Sequence, residues 1–317
     1  MTPVRRYLIV TYSQSGQTAR AAEIFAANLP NQGEVSIDQL NLAEDEGVRG
    51  AYRMPWGLFD FLRAQPEAFE PSMRLRASST VRLDQYDVVV IVYPVWFLSP
   101  ATPVSSFLRG LPPCSLAGKE VVTIATCRNM WFEAQRMMRA LVEEKGGRVI
   151  AHVALEDRAP TYATLVTTPR FFLTGERGFS SELMQRLFPA FGITEEEFAE
   201  YAGWVRTFPS TGAGDPPCMF RFKSPLALAE VIGRKISRTI YLPWPAIAST
   251  PKLIQNAYLS FAAFCTVAGI ITLMPPAAIV GKTPPVQRVL SRMQGQAISR
   301  RPTGQHASRP DAPHGGA

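Results

Sequence analysis

Residues 5–18 read RRYLIVTYSQSGQT, an apolar run that stops at a Ser-Gln-Ser-Gly-Gln-Thr turn and leads into the helix-like stretch 19–29. A turn that carries a parallel strand into a helix aims several backbone N–H groups and the positive end of the helix dipole at one spot, where an anion is favoured. Ser13, Ser15 and Thr18 add three hydroxyls there, flanked by Gln14 and Gln17, and Gly16 permits close backbone approach. The turn has neither the GK[ST] ending of a triphosphate loop nor the three-glycine spacing of a dinucleotide fingerprint. A single terminal phosphate is the ligand it suits.

The order Ser13, Ser15, Gly16, Thr18 resembles the phosphate loop of the flavodoxin-like superfamily, Ser/Thr-x-Ser/Thr-Gly-x-Thr. The resemblance implies an α/β fold, a doubly wound five-stranded parallel sheet, and FMN as the bound cofactor. An ordinary polar strand-to-helix turn reads the same way, so the other strand ends have to decide.

Two of them carry suitable chemistry. Asp87–Tyr93 (DVVVIVY) is a continuous apolar run, as expected of a strand buried on both faces, and it ends in Pro94, Val95, Trp96 and Phe97, with Pro100 beyond. Two prolines and two large aromatics make a stiff loop with a flat apolar wall. Residues 94–108 resemble the second flavin loop of the NAD(P)H-dependent FMN reductases and quinone reductases, which implies NAD(P)H as the electron donor. Lys119–Thr126 (KEVVTIAT) is a third strand, followed by Cys127, Arg128, Asn129, Met130 and Trp131 before a helix. Strand ends at Tyr12, Tyr93 and Thr126 converge on the crevice where doubly wound sheets bind ligands. Trp96 and Trp131 are each open to ring contact or plain core packing, Cys127 to a place near the ring or a buried thiol, and Arg128 to a charge for an anionic flavin or a surface site.

The spacing predicts strands near 7–12, 34–42, 87–93, 119–126 and 148–155, and helices over 16–29, 101–110 and 129–146. The aromatic-rich connection 43–86 reads as a packed helix or a lid. Residues 159–178 read as loop, and the Thr194–Glu197 capping box opens a helix with Phe198, Tyr201 and Val205 on one face. Four scattered cysteines and no leader-like N-terminus point to a reducing cytoplasmic setting. The three histidines are placed for no metal site, and nothing suggests a nucleic-acid partner; an oligomer is left open.

Charge divides the chain. From residue 220 onward twelve Lys and Arg face only Glu230 and Asp311, so the basic character of the protein belongs to this part alone. The division expected is a flavodoxin-like domain at 1–219, a helical hydrophobic extension at 220–280 and a disordered basic tail at 281–317. In the extension, Leu228, Ile232, Ile236 and Ile240 share one side of a basic helix, which suits an anionic membrane surface or a domain cap equally. Residues 257–280 carry no charge, but Pro275-Pro276 shortens the uninterrupted helix to a marginal span, and basic residues flank both sides. An interfacial or re-entrant insertion at the cytoplasmic face of the membrane follows. The CRNMW loop together with such an extension resembles the bacterial dialkylresorcinol condensing enzymes. The expected function is FMN-dependent oxidation-reduction or electron transfer on a hydrophobic quinone-like or aromatic substrate; the alternative is a non-redox accessory, condensing or cyclising role in aryl-lipid formation. No Cys-His-His or Ser-His-Asp set supports that alternative.

Overall fold

The computed structural model describes residues 5–30, 35–52, 54–70, 75–76, 81–157, 159–208, 218–220 and 226–293. Six parallel strands, β1 (Arg5–Thr11), β2 (Val35–Asn41), β3 (Val88–Trp96), β4 (Glu120–Cys127), β5 (Arg148–Glu156) and β6 (Cys218–Phe220), form a sheet in the order β2-β1-β3-β4-β5-β6. The first five follow the flavodoxin order, with its switch point between β1 and β3. The three-residue β6 is an addition to the five strands expected, and it straddles the boundary expected at 219/220. Its brevity leaves no periodic signal to read.

Strands β1, β3, β4 and β5 are apolar on both faces because helices cover both, while edge strand β2 alternates half-buried and exposed residues. On one face Ile9, Val90, Val92 and Ile124 pack with Phe25 of α1 (Gln17–Asn28). On the other, Leu8, Val10, Val89 and Ile91 form a second core layer. Burying each such side chain contributes about 1.5–3 kcal/mol. The connection to β3 holds α2 (Glu46–Ala51) and α3 (Leu58–Phe69). After β3 come α4 (Thr102–Gly110) and, beyond β4, α5 (Phe132–Glu144), whose Phe107, Leu108 and Met138 fill the second layer.

The stretch 159–178, expected as loop, contains helix α6 (Thr161–Thr174). Pro169 argues against a helix in the sequence, yet Ala163, Thr167 and Phe171 recur four residues apart and are all buried, so packing of one stripe outweighs the proline. Short α7 (Glu182–Leu187) precedes α8 (Glu195–Arg206). Thr194 caps α8 as the sequence predicts, its hydroxyl accepting from Glu197 N at 3.3 Å, and the Tyr201 hydroxyl donates to Ala21 O at 3.3 Å.

The extension is built of α9 (Ala227–Tyr241), α10 (Trp244–Ile247), α11 (Lys252–Gly281) and α12 (Pro284–Met293). Helix α11 runs through Pro275 and Pro276, where an interruption was expected. Both prolines are exposed, and the helix is held on either side of them by Leu259 and Ala262, fully buried, and by Ala277. Helix α12 occupies part of the tail expected to be disordered, with Leu290 packed beside Phe132 and Ala227; residues 294–317 of that tail lie outside the described residues.

Candidate functional site

Three strand ends, as the sequence indicates, place their loops together, but the loops line two adjoining cavities rather than one. The smaller, about 80 Å³, is lined by Gln14, Ser15 and Gln17, by Pro94, Val95 and Trp96, and by Thr126, Cys127 and Arg128. The larger, about 230 Å³, takes Val95, Phe97, Leu98, Cys127, Arg128, Asn129 and Met130 on one side. Val95, Cys127 and Arg128 belong to both, so the cavities meet there.

The first turn enters α1 through Gly16, whose φ of 83° is left-handed and favours glycine. The Thr18 hydroxyl lies 2.7 Å from that of Thr126, tying the first loop to the third. Arg177 Nη2 donates to Ser15 O at 2.7 Å and Ile193 N donates to Gln17 Oε1 at 3.0 Å, so the segment after α6 closes over the turn. Among the described residues, the buried atoms Ser13 Oγ, Gln14 Oε1 and Nε2, Gln17 Nε2 and Thr168 Oγ1 have no hydrogen-bond partner. Buried polar groups without partners are costly, so such a concentration beside one small cavity fits a polar ligand that takes up their bonds. Ser13, Gly16 and Thr18 themselves do not line the cavity; they shape its edge.

Beneath the meeting point lies a buried ion pair: Arg128 Nη1 donates to Asp157 Oδ2 at 2.6 Å, and Gly192 N donates to the same oxygen at 2.8 Å. Burial lowers the Arg128 pKa, while Asp157 opposes that shift. The guanidinium also sits 5.4 Å from the centroid of Phe191, which stacks on Phe171 at 4.6 Å. Of the third loop, Cys127 carries a thiol whose pKa burial pushes well up, aided by the nearby Glu156, so it is no activated nucleophile. Trp131 lines neither cavity. It is fully buried, donating from Nε1 to Glu156 Oε1 at 2.5 Å, because the chain turns inward again one residue before α5.

The second loop is the most constrained part. Residues Phe97 and Leu98 form a two-residue hairpin between Trp96 and Ser99, with φ of 47° and 64°. Such hairpins ordinarily take Asn-Gly, and bulky residues there carry about 1–2 kcal/mol of strain each. Trp96 packs edge-on against Tyr12, Tyr52 and Trp56 at 5.1–5.5 Å and so serves core and cavity wall together. Helix α9 fixes the turn from outside. Arg234 Nη1 donates to Leu98 O at 3.2 Å and to Ser99 Oγ at 2.9 Å, and its Nε lies 3.5 Å from Glu133. Glu230 accepts from Glu133 N at 3.1 Å, placing a carboxylate at the N-terminus of α5.

The far wall of the larger cavity comes from the extension: Ile232, Gly233 and Ile236 of α9, Cys265, Thr266, Gly269 and Ile270 of α11, with Gln65 and Phe69 of α3. The apolar side of α9 therefore faces this cavity, where the sequence left a membrane surface open as one reading. Tyr241, also in the wall, has its phenol pushed up to about 12 by burial; it stays protonated and donates to Gln65 Oε1. Of the residues that sequence reasoning passed over, Asp157 alone carries a signal, an acid placed just beyond an apolar strand. Phe191, Gly192 and the extension wall reach the site only through tertiary contacts.

No protein-family model matches the chain, and no curated protein matches it. Among solved structures it is similar to an azoreductase from Bacillus anthracis str. Sterne, with 13% identity over 65% of this chain and 100% of that one and a TM-score of 0.38. It is similar to an NADH:FMN oxidoreductase in its apo form, at 13% identity, 68% and 95% coverage and a TM-score of 0.37. A flavoprotein in complex with FMN from Lactobacillus acidophilus NCFM gives 20% identity, 48% and 93% coverage and a TM-score of 0.34. The strand order described above, rather than these likenesses, defines the architecture.

Proposed function

We propose that the chain is an FMN-dependent oxidoreductase that uses NAD(P)H and acts on a hydrophobic quinone-like or aromatic substrate. The observation that carries this reading is the joining of a small polar cavity, rich in unspent hydrogen-bonding atoms, to a larger apolar one across Val95, Cys127 and Arg128. Ser15 and Gln17 hold the phosphate with the N–H groups opening α1, with Ser13 at the edge of the cavity; Gln14 and Thr168 reach the polar chain between phosphate and ring. Phe97, Leu98 and Met130 present the apolar surface for a flat ring, and the wall of α9 and α11 excludes water from the reacting face. Arg128, held by Asp157, supplies positive potential near the ring's polar edge. Held there by these residues, FMN would supply two-electron chemistry between NAD(P)H and a conjugated acceptor.

The resemblance of the Cys127–Trp131 loop and the extension to dialkylresorcinol condensing enzymes directs this reading toward aryl lipids. A non-redox condensation is less well served: no histidine lines either cavity, and His152 is buried against Trp131 with its Nδ1 2.9 Å from Thr123 Oγ1. Absorbance in the flavin bands of the purified protein, followed by titration of the apoprotein with FMN and with FAD, tests the proposal. Tight uptake of FMN is expected. Failure to take up either flavin overturns it.

A further inference from the structure

Helix α11 presents opposite sides to two different surroundings. At 3.6 residues per turn, Leu259, Ala262, Thr266, Gly269, Ile270, Leu273 and Ala277 fall on one side, and this side packs on the domain and lines the larger cavity. Leu253, Phe261, Phe264, Ile271 and Ile279 fall on the other. These five are exposed, Leu253 by 82%, Phe264 by 72% and Ile279 by 71%. An apolar face of this size marks an interaction surface. The charges around it indicate the partner. In α9–α12 the exposed ionic side chains are Lys235, Arg238, Lys252, Lys282, Arg288 and Arg292, all basic, while the single acid, Glu230, is buried at the end of α5. Lys252 and Lys282 stand at the two ends of the face. An apolar stripe with a lysine at each end, on an extension whose exposed charges are all basic, matches the acyl layer and headgroups of an anionic membrane.

Helix α11 is long and apolar enough to cross a bilayer by composition, with a candidate span over Lys252–Leu273. Its inner side, however, is committed to the domain along most of its length: the Tyr258 hydroxyl donates to Ile240 O, Leu259 and Ala262 are fully buried, and Ala277 packs with Leu226 and Ala229. Lying along the domain, it meets a membrane with its outer side only. Leu273 lines the cavity and is itself 41% exposed, so the cavity reaches the surface there, at the edge of the inner side of α11.

We propose that the outer face of α11 rests in the acyl layer of an anionic membrane and that the larger cavity takes its aromatic substrate directly from that layer, past Leu273. The proposal deepens the redox reading by naming where the substrate comes from. Docking itself requires no flavin, so the two ideas fail separately.

Full-length protein is sedimented with vesicles of phosphatidylcholine and phosphatidylserine, and with vesicles of phosphatidylcholine alone. Pelleting with the anionic vesicles only is expected, weakened at least about tenfold by the paired change Phe261→Gln and Phe264→Gln, which touches exposed positions alone. Benzophenone dissolved in the same vesicles and activated by light should label Ile232, Ile236 or Ile270 inside the cavity, as mapped on peptides. Protein that stays in the supernatant and runs as a dimer dispersed by the same pair of changes would show that the face joins two copies, and overturns the proposal. Pelleting that both lipid mixtures support equally overturns the anionic partner. Label confined to the outer face overturns entry from the bilayer. A protein that pellets and labels as expected yet takes up no flavin leaves this proposal standing and sinks the redox reading.

Discussion

The Arg234 guanidinium donates to the carbonyl oxygen of Leu98 at 3.2 Å across 136 residues of chain, binding the extension to the strained turn of the second loop. Arg234 is largely buried, lies 5.4 Å from the Phe69 ring centroid, and has its pKa lowered first by desolvation, against the pull of Glu133. Removing it leaves a buried acceptor and Glu133 short of a partner. Arg234→Met should lower stability by about 1–3 kcal/mol, and Arg234→Lys should recover only part of it because one ammonium cannot reproduce the fork. Chemical denaturation checks both. For the same reason, truncation after Phe220, which the sequence alone would recommend as a clean domain boundary, should yield aggregated or unfolded protein.

The atoms left without partners near the turn define a second expectation. Ser13→Ala or Gln14→Ala should leave folding intact and weaken FMN binding by roughly tenfold, the worth of one bond to a charged or strongly polar acceptor. Thr18→Ala and Thr126→Ala should instead lower stability, and a double-mutant cycle should show them coupled, since their hydroxyls already bond each other at 2.7 Å. Equal flavin affinity in all four variants would count against the placement of the phosphate.

Gly16 and Gly192 should respond differently to alanine. At Gly16 an added Cβ meets nothing within 4 Å, so Gly16→Ala costs only left-handed strain, about 1–2 kcal/mol. At Gly192, φ is 143° and an added Cβ would stand 2.5 Å from Gln17 Nε2. Gly192→Ala should therefore displace Gln17 as well and weaken FMN binding together with stability, measured by titration and thermal melting.

Asp157→Ala removes the carboxylate that Arg128 Nη1 bonds in this buried pair. A loss of about 3–5 kcal/mol is expected from denaturant unfolding, as for other buried pairs broken from one side.

His152 makes stability depend on pH. Burial lowers its pKa from 6.5 to about 3, so the folded protein keeps the ring neutral while the unfolded chain protonates it. A group held neutral in this way contributes its full stability above 6.5 and loses it as the pH falls toward 3, with a limiting slope of about 1.4 kcal/mol per pH unit. In His152→Gln that component of the acid sensitivity should vanish, which denaturation midpoints over that range will show.

Much of this was legible in the chain because local chemistry and global fold agree. Four of the five long strands announce themselves as runs buried on both faces, and the turn at Ser13–Thr18 and the loop at Pro94–Phe97 fall at strand ends where the topology must gather them. The parts that escaped were decided by packing. Helix α6 forms despite Pro169 because three buried positions share a stripe, and α11 passes through Pro275-Pro276 because it is packed on both sides of them. Trp131 reads like a ring contact from its place after a strand, but its indole N–H is drawn to Glu156. The two-cavity arrangement had no sequence signal, since its outer wall comes from helices whose apolar residues fit a membrane surface equally well.

The distance between Leu98 and Arg234 along the chain also sets an order of assembly. All five long strands are complete by Glu156, whereas the helix that covers their loops begins only at Ala227. A chain leaving the ribosome can therefore close its sheet while Phe97, Leu98 and Met130 still face water, a sticky half-built state for as long as about 70 further residues take to emerge. The left-handed turn is then fixed only after the sheet is complete, and the α11 wall later still, so chaperone demand should concentrate in that interval of synthesis.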